Sequence, residues 1–268
     1  MKSTLKIKAP VTSTAAVVCV LVWLAMKLIP THLSDIELGI LFGAYYKAFI
    51  SAGEWWRCFT CGFVHVSFMH LAVNMFSLYY LGRAMENSLG SPRFAAILFG
   101  SIIGGSLFLF CIAGNTAGVG ISGGIYGLFA AYLYLVMESG AMKVPGVKGA
   151  VLQTLGINLL INFMPGVAWQ SHLGGAITGI LILMAVRKQS PDPLMKRNAV
   201  IALAIFVMLG GFAAVKRSAI GEEERYLRTD YNVLNAEKEL GFADYAVHMA
   251  KKLDELYHIT YLEDLLED

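Results

Sequence analysis

Four polar side chains stand in stretches that carry no formal charge: Ser122, His172, His70 and Asn74. Ser122 lies in "AGVGISGGIYGLFAAYLYL" (117–135), crowded by small residues. His172 lies in "WQSHLGGAITGIL", and His70 and Asn74 lie in "HVSFMHLAVNM", four residues apart and so on one helix face. His65, five residues before His70, points elsewhere and falls at the start of that helix. A serine hydroxyl is a weak nucleophile until a neighbouring base takes its proton, and an imidazole within hydrogen-bond reach can do so. Ser122 opens its helix, where free N–H groups and the positive dipole end favour developing negative charge. The His70 imidazole and the Asn74 amide would add donors for an oxyanion. Each residue also has a plainer reading. Ser122 suits close helix packing, and a histidine in a membrane span commonly satisfies an interhelical hydrogen bond.

Other chemistries find less support. Cys58 and Cys61 form a C-x-x-C, but no second Cys/His pair follows at ligand spacing, so they read as small apolar residues and no metal is expected. H-E-x-x-H is absent, as is any glycine-rich phosphate loop, and no cofactor is expected. No basic cluster interleaved with aromatics points to nucleic acid. The apolar stretches hold essentially no carboxylate, which argues against a transporter or channel.

The elements that must position these residues are membrane helices. The chain has 268 residues, 57% hydrophobic and 15% charged, with a mean hydropathy of +0.61. Such a composition marks an integral membrane protein. Spans of about 20 apolar residues are needed. Uncharged runs give a first span near Val11 to Ile29 and a second from Cys58 to Gly82. The run from Phe94 to Met137 makes two spans broken at "AGNTAG", and Gly149 to Val186 makes two broken at "MPGVAWQ". Asn198 to Val215 suits a seventh. Lys2, Lys6 and Lys8 before the first span resemble a signal-peptide n-region, but no small-residue cleavage site follows, so the span reads as a retained anchor. Residues 31–57, with three acids, Lys47, Tyr45–Tyr46 and Trp55–Trp56, suit an amphipathic segment at the membrane boundary, partly sunk in lipid.

Positive charge in the N-terminus, the Arg83/Arg93 loop, the Lys143/Lys148 loop and the Arg187–Arg197 stretch places those segments in the cytosol. Lys216 and Arg217 disagree mildly, because a seventh span puts them outside. The chain divides into a membrane core over 1–197, a seventh span over 198–216 and an acidic tail over 217–268. That tail, from Arg217 onward, has a net charge of −7 against +9 for the rest. Apolar spacing in the tail predicts two short amphipathic helices, read as a solvated appendage in preference to a docking or regulatory element.

Taken together, these residues resemble the rhomboid family of intramembrane serine proteases. "GISG" (120–123) is similar to the family's G-x-S-G, which implies that Ser122 is the nucleophile. His172 in "SHLGGAITG" resembles the family's general base, heading a helix with a G-x-x-x-G at Gly175 and Gly179. Gly123 and Gly127 repeat that spacing beside Ser122. "HVSFMHLAVNM" is similar to the family's H-x-x-x-x-H-x-x-x-N and implies an oxyanion-binding role for His70 and Asn74, with Gly120 beside them. Tyr126 falls where the family has an aromatic packed against the catalytic histidine. "GEWWR" (53–57) resembles the Trp-Arg signature of the long first loop, so Trp56 and Arg57 are structural, and Glu86 is implied to pair with Arg57 or cap that loop.

The resemblance covers roughly residues 30 to 187 and leaves the tail unexplained. It implies an all-α polytopic membrane protein: a six-helix rhomboid-type bundle, with a seventh transmembrane helix and a short helical tail. The implied activity is serine endopeptidase cleavage of single-span transmembrane proteins in the lipid bilayer, at a site opening to the extracytoplasmic side of the cell (inner) membrane. The family also implies helix-destabilising residues near the cut and a substrate gate between spans two and five. With no Asp or Glu near His172 in its span or adjoining loop, a Ser-His dyad is expected. The alternative is a catalytically inactive, client-binding relative, although such proteins usually lack the serine or the histidine. The oligomeric state is open.

Overall fold

The computed structural model describes residues 9–187, 193–216 and 224–267. Lys2, Lys6 and Lys8, the stretch 188–192 and the start of the tail at 217–223 lie outside the described residues. The described residues are helical almost throughout. The first span is α1 (Pro10–Leu28), opened by a proline whose missing N–H is harmless at a helix start. The first loop folds as α2 (Asp35–Leu41), β1 (Tyr45–Tyr46), α3 (Lys47–Ser51) and α4 (Arg57–Thr60). Next come α5 (Phe68–Ser77) and α6 (Arg83–Leu89), joined through a π-helical turn, then α7 (Ser91–Ile112), β2 (Ala117–Gly118) and α8 (Ser122–Glu138). The remaining helices are α9 (Pro145–Asn162), α10 (Trp169–Val186), α11 (Pro193–Lys216), α12 (Glu224–Glu239), α13 (Ala243–Tyr257) and α14 (Leu262–Glu267).

Among the described residues, α1, α7, α10 and α11 are long and apolar enough to cross a membrane. A fifth span counts if the bent pair Arg57–Phe63 and Phe68–Leu89 is one crossing. The second span is therefore not the single run of Cys58 to Gly82: its two pieces meet at 92°. The expected breaks at "AGNTAG" and "MPGVAWQ" both separate helices. At 17 residues α8 is short for a span, about 26 Å by helical rise, and its buried face is largely glycine and alanine.

The residues group into two compact units. The first comprises the start of α1, residues 74–109 and residues 122–207. Its centre is a seam without side chains. A Cβ on Gly175 would strike the Gly123 backbone, one on Gly179 would strike Gly127, and one on Gly105 would meet Ser171. The two G-x-x-x-G repeats thus let α8 and α10 touch backbone to backbone. Glu86 belongs to this unit and caps α1. It accepts from Val11 N at 3.0 Å, Thr12 N at 2.8 Å, the Thr12 hydroxyl at 2.7 Å and the Ser91 hydroxyl at 2.6 Å.

The second unit comprises residues 17–73, 110–121 and 208–268. Here the tail differs from the sequence reading. Its described residues form three helices, and it is not a solvated appendage: Val233, Leu234, Met249, Leu253 and Leu266 share one apolar cluster with Leu38, Ile40, Tyr46 and Phe49 of the first loop. Each large apolar side chain so buried contributes about 1.5–3 kcal/mol. Buried polar groups pin the cluster. Asp230 accepts from the Tyr46 hydroxyl at 2.7 Å and from the Tyr257 hydroxyl at 2.8 Å. Asn232 donates to Glu37 at 2.7 Å. Burial pushes the Asp230 carboxyl up to about 7, the two tyrosine hydroxyls only partly opposing it. Burial likewise raises Glu237 to about 7. The loop itself closes with a two-residue antiparallel ladder, Tyr45 facing Gly118 and Tyr46 facing Ala117.

Arg57 is 1% exposed in this unit. It pairs with Glu54 and donates to the carbonyls of Ile40 at 2.5 Å and Ala44 at 3.2 Å. Its guanidinium lies over Phe49 and Trp56, 4.9 and 4.6 Å from the ring centres. The ion partner of Arg57 is thus Glu54, and Glu86 serves α1, in place of the Glu86–Arg57 pairing implied by resemblance.

Candidate active site

Ser122 is the first residue of α8, and Tyr126 stands one turn further on the same face. The chain enters α8 through Gly120 at φ +107°, a conformation that favours glycine. The Gly120 N–H is donated to the Cys61 carbonyl at 2.9 Å, so Gly120 contributes a turn, and not the free oxyanion donor expected of it. His172 lies in the first turn of α10 and is 7% exposed. The glycine seam sets the separation of the two helix starts. His172 Nε2 sits 2.9 Å from Ser122 Oγ. The Tyr126 ring stacks on the imidazole, centroids 4.0 Å apart and planes within 7°.

A residue that the sequence reading missed completes the cluster. Asn162 Oδ1 lies 2.6 Å from His172 Nδ1. Asn162 Nδ2 donates to the Tyr126 hydroxyl at 3.1 Å and to the Asn158 carbonyl at 2.9 Å. The Tyr126 hydroxyl in turn donates to the Asn158 carbonyl at 3.3 Å. A signal was present in the sequence: Thr154, Asn158 and Asn162 recur every four residues, a polar stripe on one face of the apolar helix α9.

The other expected donors are on α5. Asn74 is buried, and His70 lies one turn before it. His65 is fully buried just ahead of α5, its ring 5.0 Å from that of His70. Trp56 and Arg57 belong to the first-loop core already described. A serine hydroxyl on an imidazole nitrogen, with the second nitrogen held by an acceptor, can carry out nucleophilic acyl transfer.

The chain matches the Rhomboid domain model over residues 52–189. It is 30% identical over 177 residues to Rhomboid protease GluP of Bacillus subtilis (strain 168), covering 65% of this chain and 35% of that protein. It is 32% identical over 146 residues to RHOMBOID-like protein 5 of Arabidopsis thaliana, covering 52% of this chain and 47% of that protein. Inactive RHOMBOID-like protein 8 of Arabidopsis thaliana is 31% identical over 138 residues, covering 51% of this chain and 39% of that protein. The chain thus spans less than half the length of these relatives.

Proposed function

The chain belongs to the rhomboid family, and from that premise we propose that it is an intramembrane serine endopeptidase acting on single-span membrane proteins. The 2.9 Å approach of His172 Nε2 to Ser122 Oγ carries this reading. His172 takes the hydroxyl proton as Ser122 Oγ bonds to the scissile carbonyl carbon. The oxyanion forms at the N-terminus of α8, where first-turn N–H groups and the Asn74 amide stabilise it. By family resemblance, His70 joins them. The imidazolium then protonates the leaving amine, and water, deprotonated by His172, hydrolyses the acyl-enzyme. Tyr126 keeps the imidazole plane in register throughout.

The positive charge of the Arg83/Arg93 and Lys143/Lys148 loops supports a site whose mouth opens on the extracytoplasmic side. The hydrogen bond from the Tyr46 hydroxyl of the first loop to Asp230 of the tail supports a tail on the same side of the membrane as that loop, with α11 as the seventh span.

Incubating purified protein with a single-span reporter and a fluorophosphonate probe tests the activity. Ser122→Ala removes cleavage and labelling, a loss of at least ~10³-fold, while the protein stays folded. Undiminished cleavage by Ser122→Ala overturns the assignment. Absence of both cleavage and labelling in folded wild type moves the protein to the client-binding class.

A further inference from the structure

The hydrogen bonds around Asn162 determine more than a contact. An asparagine amide presents two distinct ends, and which end faces which partner is fixed by the network. Nδ2 has two acceptors, the Tyr126 hydroxyl oxygen and the Asn158 carbonyl. A carbonyl cannot donate, so Nδ2 must face Asn158 and Oδ1 must face His172. Oδ1 lies 2.6 Å from Nδ1. Two acceptors do not approach so closely without a proton between them, so Nδ1 carries the hydrogen. In neutral imidazole the other nitrogen then has the lone pair, and it faces Ser122 Oγ at 2.9 Å.

We infer that Asn162 is a positioning residue: it holds His172 in the tautomer that can accept the Ser122 proton and stabilises the imidazolium that results. This rests on the serine-protease reading above. A neutral amide does this without a carboxylate buried at membrane depth, where a charge is costly. As positive charge grows on the imidazole, its Nδ1–H bond to Oδ1 strengthens, which lowers the barrier to proton transfer.

The placement of Asn162 couples this function to α9. Among residues 145–162 only Val151 is buried, and a Cβ on Gly146, Gly149 or Gly156 would meet nothing within 4 Å. The bonds from Asn162 to His172 and Tyr126, and from Tyr126 to Asn158, fasten the C-terminal end of this loosely packed helix. Seating that end of α9 and setting the histidine tautomer are one event.

Two measurements test the inference on the full chain. The first is the pH dependence of kcat and KM for Asn162→Ala and Asn162→Asp. Asn162→Ala lowers kcat about ten- to a hundred-fold with KM little changed. It also moves the acidic limb of the profile to lower pH, because the imidazolium has lost its acceptor. Asn162→Asp moves that limb to higher pH, because a carboxylate favours the protonated ring. The second is ¹⁵N NMR of histidine-labelled protein, with His172 assigned by its loss in His172→Gln. Wild type shows His172 protonated at Nδ1, and Asn162→Ala shows a tautomer mixture. An unshifted acidic limb in both variants, or an unchanged tautomer in Asn162→Ala, overturns the positioning role. A wild type with the Nδ1–H tautomer and no proteolysis refutes the protease reading instead and leaves the tautomer assignment standing.

Discussion

The seam between α8 and α10 and the cluster between first loop and tail solve the same packing problem by opposite means. The seam removes side chains: Gly123, Gly127, Gly175 and Gly179 bring two backbones into contact. The cluster adds them: Tyr46, Phe49, Leu253 and Leu266 fill space around buried carboxylates. A seam of backbone has no rotamers and no slack, so the helix starts it carries are held to a fixed separation, which suits a 2.9 Å hydrogen bond between Ser122 and His172. A cluster of side chains can repack, and its buried acids make it answer to pH. The seam therefore governs the spacing of Ser122 and His172, and the cluster governs the endurance of the loop–tail unit.

The largest effect expected is from a single side chain in the seam. Gly179→Leu places carbon atoms inside the backbone of Gly127, where neither partner can move aside. Overpacking commonly costs about 1–3 kcal/mol, and backbone against backbone lies at or above the top of that range. Fluorophosphonate labelling falls to background and the thermal midpoint drops sharply. The same change at Gly156 of α9, where a Cβ meets nothing within 4 Å, leaves both nearly untouched. Equal damage at the two positions would erase the distinction between seam and surface.

These two regions were also unequally legible in the sequence. The seam rests on spacing within single helices, and so do Ser122, Tyr126 and the His70–Asn74 pair; a period of four can be read from one strip of chain. The cluster depends on pairs such as Tyr46 and Asp230, 184 residues apart, and no local pattern encodes which acid meets which tyrosine. Reading the tail as solvated followed from its charge, but the charged faces enclose an apolar stripe whose partner lies in the first loop. The second span looked continuous because hydropathy is blind to direction, and a 92° bend leaves apolar content unchanged. Asn162 is hard to read from the sequence because a histidine partner is ordinarily an acid, and neither the span of His172 nor its adjoining loop holds one. The partner is an amide ten residues upstream, on the preceding helix.

A second, intermediate effect separates the regions by pH. Asp230 and Glu237 titrate near 7 in the folded tail, well above the ordinary carboxylate range. Between about pH 4 and 7 the folded state holds protons that the unfolded chain has released. Stability of the loop–tail unit is therefore fully present below that window, declines as pH rises through it and is flat above. The decline is on the order of a few kcal/mol. Limited proteolysis of the tail at pH 5 and pH 8 reads it directly, with faster cutting at pH 8. Asp230→Asn reduces the difference while leaving Ser122 labelling intact. A tail cut faster at pH 5 would reverse the sign and refute the buried-acid account.

The smallest effect tests whether the first unit relies on polar pins as well as on its seam. Glu86 gathers two backbone N–H groups and two hydroxyls at the start of α1, the role of an N-terminal cap supplied from elsewhere in the chain. Its negative charge also sits at the positive end of the α1 dipole. Glu86→Gln keeps the shape and one acceptor oxygen but replaces the other with a donor facing donors. The expected cost is about 1–2 kcal/mol, seen as a modest fall in thermal midpoint. Because the hydrogen bonds of Glu86 go to Val11, Thr12 and Ser91 and not to Ser122 or His172, kcat/KM below the transition stays within about two-fold, roughly 0.4 kcal/mol by the usual rate arithmetic. A collapse of activity as severe as that expected for Gly179→Leu would mean that the α1 cap, and not the glycine seam alone, sets the distance between serine and histidine.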